Sequence, residues 1–412
     1  MKSTRRMRNL LCCAVPFVIA SLSSGLSSAS TDTATNDKLL AIAKQYLQDR
    51  ASRITEQPKP FESAARAPAL TSASVTNDFA SLTAAELPEL NRLRATWKNT
   101  PVEYANAHAE VQDPVFNVGG NQAEVFLYEK TTLYFSHPLT AQGAPAATSY
   151  RLGHTLTFKS DGNQWSLSSD VLDLPQSALD PIPYFGSPRS SRKQDAPRSA
   201  SPRPAVPLPA LVPATSTPGV SIPQPKSQGP VANAAPYSRN DMVNYAVQWA
   251  LGRNSRYADY GNDCTNFMSQ ALSAGGWDYV DSPHSDDPTA WWYDDGLRFN
   301  TNTWSVAHDL MVFAYWYSNP HRMYGYAGPL PRIADIVWAD WDDANGNPGT
   351  DGHMDHAMML TAFNPMNGND WNFMYVSYHT TDTLNSPMAV VEQKASARGP
   401  HAFYFLGHND TP

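Results

Sequence analysis

The chain has 412 residues, of which 42% are apolar and 17% charged; that length points to two or three domains, and that apolar content argues against wholesale disorder. The formal net charge of -8 argues against generic nucleic-acid binding through a basic surface. No apolar run reaches the roughly 18 residues of a membrane-spanning helix.

The start of the chain reads as a targeting signal. Lys2, Arg5, Arg6 and Arg8 form a positive head, residues 10–20 a short apolar run, and Ser27, Ser28 and Ala29 a small-residue cleavage site. This is the order of a secretory signal peptide, assigned to residues 1–29. Arg5-Arg6 raises twin-arginine export, but Arg8 and Asn9 stand where that signal prefers apolar residues, so general secretion is favoured. Secretion, extracellular or cell-wall associated, with no membrane partner after cleavage, is the expected location. Two of the three cysteines leave with the signal, so the mature chain keeps only Cys264 and has no internal disulfide.

Residues 31–186 read as a first domain. Leu39, Leu40, Ile42, Ala43, Tyr46 and Leu47 recur at helical spacing and predict a helix over 36–53. Alternating segments at 102–108, 122–128, 131–135, 154–159 and 165–168 predict strands, with turns at 117–121 and 160–163. A helix followed by an antiparallel sheet is α+β. In topology alone the segment resembles a cystatin-like or nuclear-transport-factor-like cone. His108 and His154 stand apart from other chemistry-bearing residues and read as structural.

Residues 187–235 are Pro-rich, lack apolar periodicity and begin with a basic run, which reads as an extended, solvated linker. Residues 237–412 form the second domain. It carries 8 Lys and Arg against 20 Asp and Glu, with 9 of the 11 Trp, 8 of the 11 His and the mature Cys. Its chemistry-bearing residues make it the place to seek a site.

A helix is predicted over 240–251, capped by Ser238 or Asn240. After a polar loop, a second helix is predicted to start at Cys264, with Asp263 as N-cap, Phe267, Met268, Ala271 and Leu272 as the buried stripe, and Gly275-Gly276 as the stop. A thiol at the first helical position feels the positive end of the helix dipole and free N–H groups. Both favour the thiolate, and the same N–H groups suit an oxyanion. A thiolate nucleophile needs a base and a group to orient it. Ala357, Met358, Met359 and Leu360 read as a buried strand with His356 at its entrance. A second strand over 373–378 ends in His379, Thr380, Thr381 and Asp382. His379 is placed to accept the second ring N–H of His356.

Together with Trp291, Trp292, Tyr293 and Trp304, the segments at 262–272, 355–357 and 379–382 resemble the bacterial putative amidase domain family. That family is similar to the NlpC-type and CHAP cysteine amidohydrolase-peptidases of the papain-like superfamily. The resemblance spans residues 237–408 and implies an α+β papain-like domain, a nucleophile helix packed on a small antiparallel sheet. It implies Cys264 as nucleophile and His356 as base, with His379, or alternatively Asp382, as the third member. It also implies a tyrosine upstream of the cysteine at the oxyanion, for which Tyr257 and Tyr260 are candidates. No cofactor is implied. The expected activity is hydrolysis of an amide, with peptidoglycan or another peptide as partner. A non-catalytic wall-binding module and a secreted protease on protein substrates are the alternatives.

The same residues admit other readings. His353, His356, His379, Asp355 and Cys264 lack the paired spacing of a zinc site, so no metal is expected. The acidic loop with Asp340, Asp342, Asp343, Asn345, Asn347 and Asp351 has Pro348 where a calcium-binding EF-hand loop needs glycine; it reads as a solvated turn. The aromatic residues at 291–293, 304 and 316–317 read mainly as core.

Overall fold

The structure is a computed structural model and describes residues 33–56, 75–138, 144–162, 164–174, 178–179, 217–218, 237–318, 322–325, 331–343 and 346–409. The signal at 1–29 and all of the linker at 187–235 except Thr217 and Pro218 lie outside them. No described helix is long and apolar enough to cross a membrane.

Helices α1 (Thr33–Ser52), α2 (Asn77–Ala85) and α3 (Leu87–Trp97) precede strands β1 (Tyr104–Gly119), β2 (Gln122–Phe135), β3 (Ala147–Ser160) and β4 (Trp165–Asp173). A two-residue strand β5 (Thr217–Pro218) comes before α4 (Arg239–Trp249) and α5 (Cys264–Ala274). Strands β6 (Tyr293–Asp294) and β7 (Phe299–Asn300) form a hairpin, followed by short helices α6 (Asn302–Ser305) and α7 (Ala307–Val312). Strands β8 (Met323–Gly325), β9 (Ile336–Asp340), β10 (His356–Phe363), β11 (Gly368–Asn369), β12 (Met374–Tyr378) and β13 (Asp382–Pro387) lead to α8 (Met388–Arg398) and β14 (Ala402–His408). The protein is mixed α+β with a large antiparallel sheet.

Local sequence accounts for most of these elements. In α1, Leu39, Ala43, Tyr46 and Leu47 lie on one stripe and are fully buried against Val125, Leu127, Leu156 and Phe158. The two alternating segments at 122–128 and 131–135 are one strand, β2, because the alternation runs unbroken through Glu129 and Thr131. Both polar residues therefore land on the core face. Helices α2 and α3 are additions to the predicted elements; they are short, and α3 buries only Leu90, Leu93 and Trp97.

Glu129 sits at the centre of a buried charge network. It accepts from Arg50 at 2.9 Å, from the Tyr150 hydroxyl at 2.8 Å and from His154 Nε2 at 2.9 Å. His154 Nδ1 meets Asp170 at 2.9 Å, and Asp170 accepts from the Tyr46 hydroxyl at 2.8 Å. His154, which stands alone in the sequence, thus bridges two carboxylates. Burial works to lower its pKa, but Asp170 and Glu129 outweigh burial and raise it to about 9. Its unfolded value is near the ordinary 6.5, so the stability from the charged ring is full below about pH 6.5 and is lost as pH rises through 9. The urea midpoint of the protein is expected to fall between pH 6.5 and 9.5; a flat profile over that interval would contradict the assignment.

Ten strands form one sheet in the order β1-β2-β3-β13-β12-β10-β9-β14-β8, with β4 also paired to β3. The junction is the antiparallel pairing of Asp382 with Arg151, Thr383 with Tyr150 and Leu384 with Ser149. The side chains follow the ladder across it. Tyr104, Leu133, Phe135, Tyr150 and Leu152 share one core with Ala362, Tyr375 and Val390. Away from the junction, the two faces of the second half of the sheet are covered differently. One face, with Trp338, Ala357 and Met359, packs on α5 and α7. The other, with Val337, Met358, Leu360 and Tyr378, packs on α8.

Candidate active site

Cys264 is the first residue of α5 and is 2% exposed. The helix carries Phe267, Met268, Ala271 and Leu272 into the core, as its spacing predicts. Its buried polar residues are held by aromatic and backbone partners. The Asn266 amide donates to the Ala258 carbonyl at 2.9 Å and to Asp263 Oδ1 at 2.7 Å, and accepts from Trp304 Nε1 at 2.7 Å. Ser269 donates to the Trp304 carbonyl at 2.8 Å and accepts from Trp291 Nε1 at 3.1 Å. Gln270 accepts from the Tyr245 hydroxyl at 2.6 Å. A buried polar group without a partner costs roughly 1–3 kcal/mol, so these bonds permit a polar face inside the core. Trp291 and Trp304 are fully buried, in keeping with their reading as core.

Gly275 ends α5 for a reason beyond helix termination. A Cβ there would lie 2.1 Å from Met242 Cγ on α4, so the close approach of the two helices requires glycine. Gly276, with φ of 94°, supplies the left-handed turn.

Asp263 stands at the predicted N-cap position, but its side chain makes no cap bond to the helix backbone. Its carboxylate is turned to other partners. Oδ2 meets His379 Nδ1 at 2.6 Å and Arg253 Nε at 3.3 Å, and Oδ1 takes the Asn266 amide. His379 stacks on Phe267 with ring centres 3.9 Å apart, and its Nε2 bonds the Trp249 carbonyl at 2.9 Å. Both nitrogens of His379 are thereby engaged, one by Asp263 and one by the C-terminal end of α4. Asp382 accepts from Arg253 Nη1 at 2.8 Å and lies 3.8 Å from Arg151 Nη1 on β3.

The Cys264 thiol donates to Asn262 Oδ1 at 3.6 Å and lies 3.6 Å from the Thr265 hydroxyl. The backbone N–H of Ala357, the residue after His356, points at the sulfur. Burial pushes the thiol pKa up, and the adjacent Asp263 charge adds to that; Thr265 and the Ala357 N–H act the other way. The His356 ring packs against Trp341 with centres 5.1 Å apart and edge-on to Tyr378 at 5.2 Å. Those are side chains of the α8 face, whereas α5 covers the opposite face. Strand alternation explains this: Ala357 faces α5, so its neighbour His356 faces away. The ring is 4% exposed in total and its Nε2 has no hydrogen-bond partner. Burial, with a smaller contribution from His379, pushes its pKa down to about 3, so the imidazole is neutral.

The structure therefore brings Cys264 and His356 to adjacent positions without joining thiol to imidazole. It joins His379 and Asp382 to Asp263 and Arg253 and not to His356. Tyr260 donates to Asn300 at 2.5 Å, and the Tyr257 side chain hydrogen-bonds Ser273 while its ring packs on Tyr293 and Trp304, so neither hydroxyl is directed at the sulfur. Sequence spacing alone misses Asn262 and Arg253. Only the shape of the loop at 253–262 folds them back on the helix start, and no residue pattern signals it.

In the acidic loop, Asp340 accepts from the N–H groups of Asp351 and Gly352, Asp342 pairs with Arg398, and Asp343 accepts from Asn347 N. Asn345 lies outside the described residues. Burial raises the Asp340 pKa to about 6. Among the described residues no group of three or more His, Cys, Asp and Glu is arranged to hold a metal ion.

Comparison with known proteins places a family match on this half of the chain. Residues 236–401 match the family model described as "Putative amidase domain". The chain is 30% identical over 165 residues to the uncharacterized protein YjcM of Bacillus subtilis (strain 168), covering 39% of this chain and 35% of YjcM. It is 32% identical over 80 residues to the uncharacterized protein YhbB of the same strain, covering 19% of this chain and 24% of YhbB. The chain thus spans about a third or less of the length of these relatives. Among solved structures, the Kfla4162 protein from Kribbella flavida aligns at 16% identity over 34% of this chain and 91% of that one, with a TM-score of 0.23.

Proposed function

We propose that the half of the chain containing Cys264 is a secreted, papain-like cysteine amidohydrolase that cleaves an amide in peptidoglycan peptides. The observation that carries this reading is the seat of the Cys264 sulfur at the start of α5, facing the N–H of the residue that follows His356. A thiol used only for packing has no need of a helix N-terminus and a backbone donor.

In this reading Cys264 and His356 both begin neutral and separate. The His356 ring, on the first residue of β10, turns from Trp341 toward the sulfur when substrate enters, and takes the thiol proton as general base. The thiolate attacks the amide carbonyl carbon. The negative oxygen is held by free N–H groups of the first turn of α5 and by the Asn262 side chain. Its amide, turned over, presents Nδ2 to the place its oxygen now occupies beside the sulfur. His356 returns the proton to the leaving amine, and the C–N bond breaks to give a thioester on Cys264. Water, deprotonated by His356, hydrolyses the thioester and restores the thiol. His379 and Asp382 serve the helix start, and do not orient the base.

The test is to incubate full-length mature protein with purified muropeptides, quench in acid, and measure the mass of the Cys264 peptide and of the products. The expected result is one new amine, one new acid and an acyl adduct on Cys264. Intact muropeptides with no adduct under substrate excess would overturn the reading and leave a wall-binding module in its place.

A further inference from the structure

We propose that Arg253 is a positioning residue for the nucleophile: its guanidinium clasps the turn before Cys264 and offsets the negative charge of Asp263 beside the sulfur. The inference deepens the reading of Cys264 as nucleophile and rests on it.

The geometry is that of a fork shared among three carboxylates. Arg253 Nε lies 3.0 Å from Asp259 Oδ1 and 3.3 Å from Asp263 Oδ2, and Nη1 lies 2.8 Å from Asp382 Oδ1. Asp259 and Asp263 flank the loop before α5, whereas Asp382 opens β13 on the sheet. One side chain therefore fastens the loop and the helix start to the strand at the junction with β3. A planar guanidinium suits this task because it offers several donors in fixed directions.

The charged groups that face this turn come from every element around it. Asp259 and Asp263 belong to the loop, His379 follows β12, Asp382 begins β13, and Arg151 reaches Asp382 from β3. His356 is neutral and faces away. The Asp263 charge opposes formation of the thiolate, and the nearest cation bonded to that carboxylate through its guanidinium is Arg253. Without it, the Asp263 carboxylate beside the sulfur keeps its bonds to His379, the Asn266 amide and the Tyr260 N–H but loses its guanidinium.

The experiment is the second-order rate of Cys264 alkylation by iodoacetamide in the full chain, read by mass from pH 7 to 9. Below the thiol pKa this rate scales with the thiolate fraction, so one pKa unit is a tenfold change. Arg253→Gln is expected to label about three- to tenfold more slowly than the native protein at each pH. Arg253→Lys, which keeps the charge, is expected to stay within about twofold. A purely structural clasp gives the opposite sign, because loosening the turn exposes a buried thiol and speeds labelling. Equal or faster labelling of Arg253→Gln, or equal slowing of Arg253→Lys, would overturn the proposal. If Arg253→Gln does not fold, Asp382→Asn reads the same clasp. With one competitor gone the guanidinium serves Asp263 more fully, and labelling is expected to rise about two- to fivefold; unchanged or slower labelling would count against it. Alkylation reports the thiol's surroundings whether or not muropeptides are cleaved, so failure here and failure of the hydrolase reading are separately visible.

Discussion

Produced alone, residues 237–412 are expected to show no cooperative thermal transition. The reason is the sheet. Strand β13 pairs on one side with β12 and on the other with β3, so removing the N-terminal half leaves an open edge at Asp382, Thr383 and Leu384. The same cut strips Phe135, Tyr150 and Leu152 from Tyr375, Val390 and Ala362, which share their core. Each large apolar side chain returned to water costs about 1.5–3 kcal/mol, and a whole domain is stable by only about 5–15 kcal/mol. The loss of Tyr375 and Val390 burial, of the ladder bonds and of the Arg151–Asp382 contact is of that order. Circular dichroism on heating is the measurement. A sharp transition within a few degrees of the full chain would show that the shared core contributes little.

Cys264→Ala is expected to lower kcat/KM for amide cleavage by at least about a thousandfold while leaving the melting temperature within a few degrees. Catalysis by covalent acyl transfer has no second route when the sulfur is gone, and nucleophile removal in triad hydrolases costs several orders of magnitude. Stability changes little because the thiol's side-chain bonds are two and long, at 3.6 Å, the Ala357 N–H it faces belongs to the backbone, and alanine fits the first position of α5. The pairing of the two readouts is what decides. Activity retained within tenfold would remove Cys264 from the chemistry. Activity lost together with the fold would assign it to packing.

The elements around the site are largely legible in the residue pattern. Cys264 begins a helix because Phe267, Met268, Ala271 and Leu272 repeat at helical spacing and Gly275 stops it, and α5 starts and ends there. The apolar run after His356 is β10, and the segment before His379 is β12. Less legible is where each polar side chain finds its partner. Asp263 has the look of an N-cap, yet its carboxylate goes to His379, which lies 116 positions away along the chain. His154 looks solitary because its partners Glu129 and Asp170 come from the neighbouring strands β2 and β4. Strand order alone puts His379 next to His356 as its third partner. Strand register sets a different outcome: Ala357 and His379 share the α5 face, and His356 takes the other.

By itself the sequence determined α1, the strands β1 to β4 in outline, α4, α5, β10 and β12, with the thiol at a helix start and the α+β character of the protein, because apolar periodicity and turn residues act over a few positions. Only the tertiary structure decided that the two halves share one sheet, that Arg253 gathers Asp259, Asp263 and Asp382, and that His356 rests away from the sulfur. Those outcomes depend on which strands pair and in what register, and a shift of one residue reverses the face of every side chain on a strand.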